Sequence, residues 1–465
     1  MCGILAIFSN SNHNINTDIQ TQLKHLQNRG QDSYGYYLYN TIFKTEKYIG
    51  ELGLIQKHHI PETYNVGIGH TRYATSYSNQ KNSKSHIQPI MLSHPKYGNL
   101  SFCFNGNLNN LETIASLYQV EISNIPDIND TLILQKILAS SSFSKIEELA
   151  THMIKNIRGV FNLLIYQVSQ NNLYILKDRS NNRPLCIGKN DTGYCISSES
   201  VALGNYNYQF EIEGGQLLKI NSQGLHKIYQ TPNINKYQKK CLFEYIYLQN
   251  KNSLCHPNIT IQDIREDLGE ELARQENLTI DIKNKKDIVV IGAPNTAIPI
   301  GQKYAKCLDL EYFQFIEKRR GTVRSFIKSN NQDRLQECYR KFQVNPSYPI
   351  VGKIVIFVDD SLVRGNTIKT IVDLLNSLNP LQVHIRIASP EVKNACYFGI
   401  DIPTGEELIM NSYNTASLAK KLGATSINFL KTDNMAYVLK NKLGINKDNI
   451  CMSCFNGEYS KFLDF

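Results

Sequence analysis

Lys353-Ile354-Val355-Ile356-Phe357-Val358-Asp359-Asp360-Ser361-Leu362-Val363-Arg364-Gly365-Asn366-Thr367 is the stretch that decides the fold of the C-terminal half. Its apolar run ends in two carboxylates and a turn, and a helical pattern follows from Asn366 to Leu378. A short, nearly continuous apolar run bounded by a turn is how a strand buried on both faces of a parallel sheet reads. Asp287–Gly292, followed by a predicted helix over Ala297–Leu308, repeats the arrangement, and Val383–Ala388 supplies a third strand. The second half is therefore expected to be α/β, an open parallel sheet with ligands at the carboxyl ends of its strands. The turn itself is chemically marked. Backbone N–H groups at a helix start bind anions, with Gly365 permitting close approach and Thr367 offering a hydroxyl. Asp359 and Asp360 just before it suit sugar hydroxyls or a magnesium ion shared with phosphates. Acid beside an anion site makes sense for a ligand that carries both diol and phosphate. The plainer alternative is a surface turn with capping by Ser and Asp.

Upstream, the chain changes character. Short strand-like segments (Gly3–Phe8, Tyr34–Tyr39, Val66–Thr71, Leu100–Asn105, Val160–Gln167, Leu173–Leu176, Gly193–Ser197) alternate with helical patterns over Ile15–Gln27, Asp130–Leu138 and Ser144–Ile157. Such a mixture predicts a layered α+β domain. The polar stretch Asn221–Lys240, which contains Pro232, marks the join, so the domains are expected at 1–235 and 236–465. At 465 residues the chain is too long for one ordinary core. Phe326–Ser347 is polar, basic and aperiodic, and reads as a mobile loop.

The N-terminus, Met1-Cys2-Gly3-Ile4, carries the second chemical signal. Removal of Met1 leaves a thiol and a free amine on one residue. Their unperturbed pKa values of about 8.5 and about 7.7–8.0 lie near neutrality, so the residue supplies a nucleophile and its own base. A thiolate attacking a carboxamide yields a thioester and ammonia. The plainer reading is a small buried side chain in a first strand.

Composition narrows the partners. A net charge of +9 without a long basic run argues for local anion binding and against a nucleic-acid partner. No stretch approaches a membrane span, and residues 1–20 lack a secretory pattern, so a cytoplasmic protein without a membrane partner is expected. Eleven scattered cysteines fit reduced thiols with room for a metal better than a disulfide framework.

Val358–Thr367 resembles the signature of the type I phosphoribosyltransferases, whose acidic pair contacts the ribose hydroxyls or magnesium and whose turn cradles the 5-phosphate. A terminal cysteine and that signature in one chain resemble one family, the glutamine phosphoribosylpyrophosphate amidotransferases, from Cys2 to about Gly457. Asn28-Arg29-Gly30-Gln31-Asp32 is similar to its H-R-G-Q-D, with Asn28 for His. Gly69-His70-Thr71-Arg72-Tyr73-Ala74-Thr75 is similar to G-H-x-R-Y-x-T, and Asn105-Gly106-Asn107-Leu108 to N-G-N-L. The resemblance implies an N-terminal nucleophile hydrolase domain of αββα type before a type I phosphoribosyltransferase domain. It implies Cys2 as nucleophile, Asn105 and Gly106 as oxyanion donors, and Arg29 near the thiolate. Arg72 would take the glutamine α-carboxylate and Asp130 its α-amine. Asp359, Asp360, Ser361, Arg364, Gly365, Asn366 and Thr367 would hold the ribosyl substrate, with Asp359, Asp360 and Thr296 at Mg2+. Glu199 is left as a structural residue. A homotetramer with purine nucleotides as feedback ligands is implied as well.

The transferase half departs from the family in places. The diphosphate loop reads Pro294-Asn295-Thr296-Ala297, so Asn295 has lost a carboxylate. In the mobile loop Lys318, Arg320 and Arg324 keep their cations, Lys341 stands at a later lysine position, and Val323 replaces a glycine. Cys241, Cys396, Cys451 and Cys454 stand where the cluster-bearing, bacillus-like branch carries its ligands, which implies a [4Fe–4S] cluster; zinc or no metal are the alternatives. The remaining cysteines, Cys103, Cys186, Cys195, Cys255, Cys307 and Cys338, read as packing or surface residues. The function implied is glutamine-dependent amination of 5-phosphoribosyl 1-diphosphate, the first committed step of purine synthesis. Because of Asn295 and Val323, a glutaminase with a decayed transferase half is an alternative, and a non-catalytic nucleotide-sensing module is another.

Overall fold

A computed structural model describes residues 1–10, 13–53, 63–73, 86–122, 128–276, 282–318, 342–345, 348–403 and 405–459. Arg320, Val323, Arg324 and Lys341 lie outside the described residues, as does the Lys318 side chain.

The first half is two antiparallel sheets packed face to face between helices. In the first sheet, Gly3–Ser9 pairs on one side with Gly193–Ser197 and on the other with Val66–Arg72. The second sheet is built around Gly98–Leu108, Gly159–Gln167 and Asn172–Lys177. The alternation of the first strand explains the layering. Ile4, Ala6 and Phe8 point into the core between the sheets, whereas Leu5 and Ile7 meet helix Asn16–His25 on the outside. Both faces are covered, so the strand reads as an unbroken apolar run. Helices Asp130–Ser140 and Ile146–Asn156 cover the outer face of the second sheet.

The second half holds a five-stranded parallel sheet in the order Glu311–Tyr312, Ile288–Gly292, Ile354–Asp359, Gln382–Ile387, Ser426–Phe429. Its three predicted strands occupy the middle. Helices Ile298–Leu308 and Asn366–Asn376 follow the first two, close to the expected bounds. Three expectations need correction. The polar stretch at the join begins as a strand, Gly224–Gln230, paired with Gln216–Asn221 at a sheet edge. Part of the expected mobile loop is also a strand, because Phe342–Val344 pairs antiparallel with Ile316–Lys318. Finally, Phe43–Ile49 is an edge strand that no pattern announced.

The halves meet through buried charge. Arg29, with both carboxylates out of solvent, reaches Glu199 of its own half at 2.8 Å and Glu244 of the other at 2.8 Å. Glu244 opens a short π-helical turn, Glu244–Leu248, just past the join.

Candidate active site

Cys2 sits at the open end of the first strand, half-buried, with Sγ 4.0 Å from the Tyr73 carbonyl oxygen. Burial works against its ionisation, but the neighbouring His70 works for it. The chain amine and the Tyr73 carbonyl help, and the thiol comes down to about 6. His70 has no solvent exposure, and neither ring nitrogen makes a hydrogen bond. It comes from strand Val66–Arg72, in register opposite Ile4. Sequence reading quoted this histidine only within a motif; a buried His two positions before the expected carboxylate binder was the signal available. The chain amine lies on Met1, which is itself buried, and that burial lowers the amine to about 5.

The expected oxyanion donors lie on strand Gly98–Leu108. Asn105 is 2% exposed and its Nδ2 has no partner, so a buried amide donor is left unused. Buried donors are normally satisfied; one left open is a place for a ligand oxygen. Gly106 is required for packing, since a Cβ there would lie 2.1 Å from the Val160 carbonyl oxygen of the neighbouring strand. Asp130, first residue of its helix, accepts from the Leu108 N–H at 2.9 Å. Burial and, to a smaller extent, the Cys2 charge raise its carboxyl to about 6. Arg72 ends its strand half-buried, and among the described residues no carboxylate pairs with it.

Arg29 differs from expectation. Its Nε donates to the Cys2 carbonyl oxygen at 3.1 Å, and the rest of the guanidinium is spent on Glu199 and Glu244. It anchors the backbone of Cys2. Asn28, the substitute for histidine, donates to Glu199 at 2.9 Å and to the Leu248 carbonyl at 3.1 Å, so it serves the same join. Glu199 also accepts from the Asn250 N–H and the Ser253 hydroxyl, which confirms a structural role.

In the second half, Asp359 ends its strand and Asp360 follows, both buried. Thr296 donates to Asp360, Ser361 donates to the same carboxylate at 2.7 Å, and Asp359 accepts from the Asp360 N–H at 2.8 Å. Burial raises both carboxyls, and for Asp359 the neighbouring Asp360 adds to it. Gly365, at φ +79°, is the N-cap of helix Asn366–Asn376, which has no side-chain cap. Its first N–H groups therefore face the turn unclaimed by a capping side chain. Arg364 pairs with Glu407 at 2.8 Å, half-exposed. Asn295 has φ +77°, a left-handed conformation in which Asn is enriched, so its amide suits this backbone.

Cys241, Cys396, Cys451 and Cys454 come together at the join. Cys241 and Cys451 are partners in a parallel strand pair, and the Phe398 N–H donates to Cys396 Sγ at 3.4 Å. Burial raises Cys454, and the charges of Cys396, Cys451 and Cys241 raise it further. Among the described residues, no three His, Cys, Asp or Glu side chains stand close enough to hold a metal ion. The other described cysteines behave as expected: Cys103, Cys186 and Cys195 are buried in sheets, Cys307 is exposed and Cys255 half-buried.

A glutamine amidotransferase domain family matches residues 70–205, and a phosphoribosyl transferase domain family matches 257–400. Over nearly the whole chain, it is 28% identical to the amidophosphoribosyltransferase of Bacillus subtilis, with 94% of this chain and 90% of that protein covered. The chain thus resembles the amidophosphoribosyltransferases along nearly its whole length. The family member of Methanocaldococcus jannaschii is 27% identical over 100% of this chain and 98% of its own length. In three dimensions, the glutamine phosphoribosylpyrophosphate amidotransferase from B. subtilis, solved with ADP and GMP, superposes with a TM-score of 0.86 at 27% identity. That match covers 98% of this chain and 97% of that one. The family's two-domain fold is therefore the fold of this chain.

Proposed function

We propose that this protein transfers the amide nitrogen of glutamine to 5-phosphoribosyl 1-diphosphate, giving 5-phosphoribosylamine, glutamate and diphosphate. One observation carries the reading: a single chain carries a low-pKa thiol and an unused buried amide donor in one half and an acidic pair just before an uncapped helix start in the other. With Met1 removed, the Cys2 thiolate attacks the side-chain amide carbon. Asn105 Nδ2 and the Gly106 N–H stabilise the oxyanion, an effect of about 3–4 kcal/mol for one donor. Arg72 takes the α-carboxylate and Asp130 the α-ammonium, whose charge offsets that of Asp130. Water then hydrolyses the thioester, and the freed ammonia attacks C1 of the ribosyl substrate as diphosphate leaves. Ser361–Thr367 cradles the 5-phosphate, and Asp359 and Asp360 hold the ribose diol.

Two buried carboxylates side by side, each raised by burial, are a fit donor set for a divalent cation, and Mg2+ would be held by Asp359, Asp360 and Thr296. Bound there, it would neutralise charge on the diphosphate leaving group. The four thiols also fit a metal group: they gather at the join, with Cys241, Cys451 and Cys454 buried and Cys396 half-buried. A set of four cysteines suits a [4Fe–4S] cluster held by Cys241, Cys396, Cys451 and Cys454, whose contribution here would be structural. Anaerobically purified protein should contain about four iron and four sulfide per chain, with a broad absorption band near 400 nm. Zinc in their place would refute the cluster.

Purine nucleotides as feedback ligands belong to the same reading, supported by the B. subtilis enzyme solved with ADP and GMP, and a homotetrameric assembly is proposed with them. A cytoplasmic location is also proposed; among the described residues no helix is long and apolar enough to cross a membrane. The deciding experiment follows glutamate and diphosphate together. Equal release of both, abolished by Cys2→Ser with glutamine but retained with ammonia, is expected. Glutamate without diphosphate would establish a glutaminase with a decayed transferase half, and nucleotide binding without turnover a sensing module.

A further inference from the structure

The oxyanion segment is held from behind by the other half of the molecule. Asn107, two residues beyond Asn105, donates its Nδ2 to the Tyr397 carbonyl oxygen at 2.9 Å. The next carbonyl, that of Phe398, accepts from Arg183, whose side chain is fully buried. Gly399 follows at φ +86°, and a Cβ there would lie 3.0 Å from Asn107 Cβ and 3.5 Å from the Gly106 carbonyl oxygen. Asp401, at the end of the same loop, accepts from the hydroxyl of Tyr73 at 3.5 Å; the Tyr73 carbonyl in turn faces Cys2 Sγ. Two of these contacts, at Tyr397 and Gly399, set the loop Tyr397–Asp401 against the strand that presents Asn105 and Gly106, and the other two tie it to Arg183 and Tyr73.

The arrangement is directional. Asn105 and Gly106 lie in register opposite Asn162 and Phe161 on their inner neighbour, which fixes the strand within its sheet. Past Leu108, which lies opposite Gly159, the Asn109 N–H still reaches the Arg158 carbonyl oxygen at 3.0 Å. Asp130 holds the Leu108 N–H, and the other half of the molecule adds the hydrogen bond from the Asn107 side-chain amide and the close approach allowed by Gly399. Arg183 extends the hold inward, with its Nη1 3.7 Å from Glu244, which in turn pairs with Arg29 on the Cys2 backbone. The loop therefore touches both the oxyanion segment and, through Arg183, the support of the nucleophile.

We propose that Tyr397–Asp401 of the transferase half sets the position of the oxyanion donors of the glutaminase half, with Asn107 as the positioning residue that transmits it. The proposal rests on the assignment of Asn105 and Gly106 as those donors. Asn107 touches no reacting atom; it acts through the backbone of Gly106. Misplacing a donor weakens the transition state more than the bound substrate, because the oxyanion forms only as the thiolate attacks. Glutamine binding depends on Arg72 and Asp130 and is left alone.

The test uses the full-length protein carrying Asn107→Asp, which keeps the volume but turns an oxygen toward the Tyr397 carbonyl, and Asn107→Ala as a second variant. Glutamine hydrolysis is measured alongside the ammonia-dependent reaction, which bypasses the thiol and reports an intact transferase half. The expected result is a fall in kcat for glutamine of about tenfold or more, as for a displaced catalytic group. KM for glutamine and the ammonia-dependent rate should stay within about twofold. Both variants hydrolysing glutamine as fast as the unaltered protein would overturn the proposal, as would a parallel fall in the ammonia reaction. If the unaltered protein itself turned over no glutamine, the functional reading would fall and the proposal with it.

Discussion

A thiol that ionises near pH 6 inside a pocket needs a neighbour to hold its charge, and His70 is the one this chain provides. The consequence is a defined pH profile. Cys2 must be deprotonated to attack, and Asp130 must be charged to bind the substrate ammonium; both titrate at about 6. Above pH 7 kcat/KM for glutamine should be flat in both groups. As pH falls through 6, both protonate and the profile should steepen toward a slope of two. His70→Asn removes the neighbour that favours the thiolate, so the thiol should return toward its ordinary value of about 8.5. The inflection would then split, one limb staying near 6 and the other moving above 7, which a pH–rate profile resolves. An unchanged profile would show that His70 has no bearing on the thiol. At this scale the motifs were legible wherever the residue type is dictated by chemistry, as for Cys2, Asn105 and Asp359. They were misleading where a residue is dictated by its backbone. Asn295 looked like a lost carboxylate, but a left-handed φ gives an amide its own reason to be there.

Among elements, the pair of helices Ile261–Arg274 and Ile298–Leu308 shows how tightly the transferase half is packed against its sheet. The first begins with a capping box between Thr260 and Asp263 and carries Gly269 at its centre. A glycine there costs about 1 kcal/mol in helix propensity, and the reason for it is contact: a Cβ would lie 2.3 Å from the Ile300 carbonyl oxygen. Gly269→Ala should therefore destabilise the protein, by about 1–3 kcal/mol as for other overpacked sites, despite the gain in propensity. A lower melting temperature is the expected readout, and a higher one would show that the helices can part at no cost. Strands buried on both faces, such as Ile288–Gly292 and Ile354–Asp359, were readable because nothing but apolar side chains fits them. Phe43–Ile49 was not, since its half-exposed edge position admits Lys, Thr and Glu. Gly224–Gln230 was hidden in the same way, its polar surroundings making a sheet edge look like a linker.

For the whole molecule, what no local pattern could disclose is the join. Arg29 and Glu244 are 215 residues apart, and Asn107 and Tyr397 are 290 apart. Nothing in either neighbourhood announces the other. The resemblance to a known family placed the four cysteines together in advance, whereas C-x-x-C alone left two of them without partners. The ion pair Arg29–Glu244 also sets a limit on rearranging the protein. Breaking a buried pair by removing one partner typically costs about 3–5 kcal/mol, and severing the chain near residue 235 removes Glu244 from Arg29 in a single cut. The ammonia-producing half is consequently no interchangeable cassette: grafted onto a foreign acceptor enzyme, it would leave the cation beneath its own nucleophile with Glu199 as its one remaining acid unless the new neighbour supplied a second at the same spot.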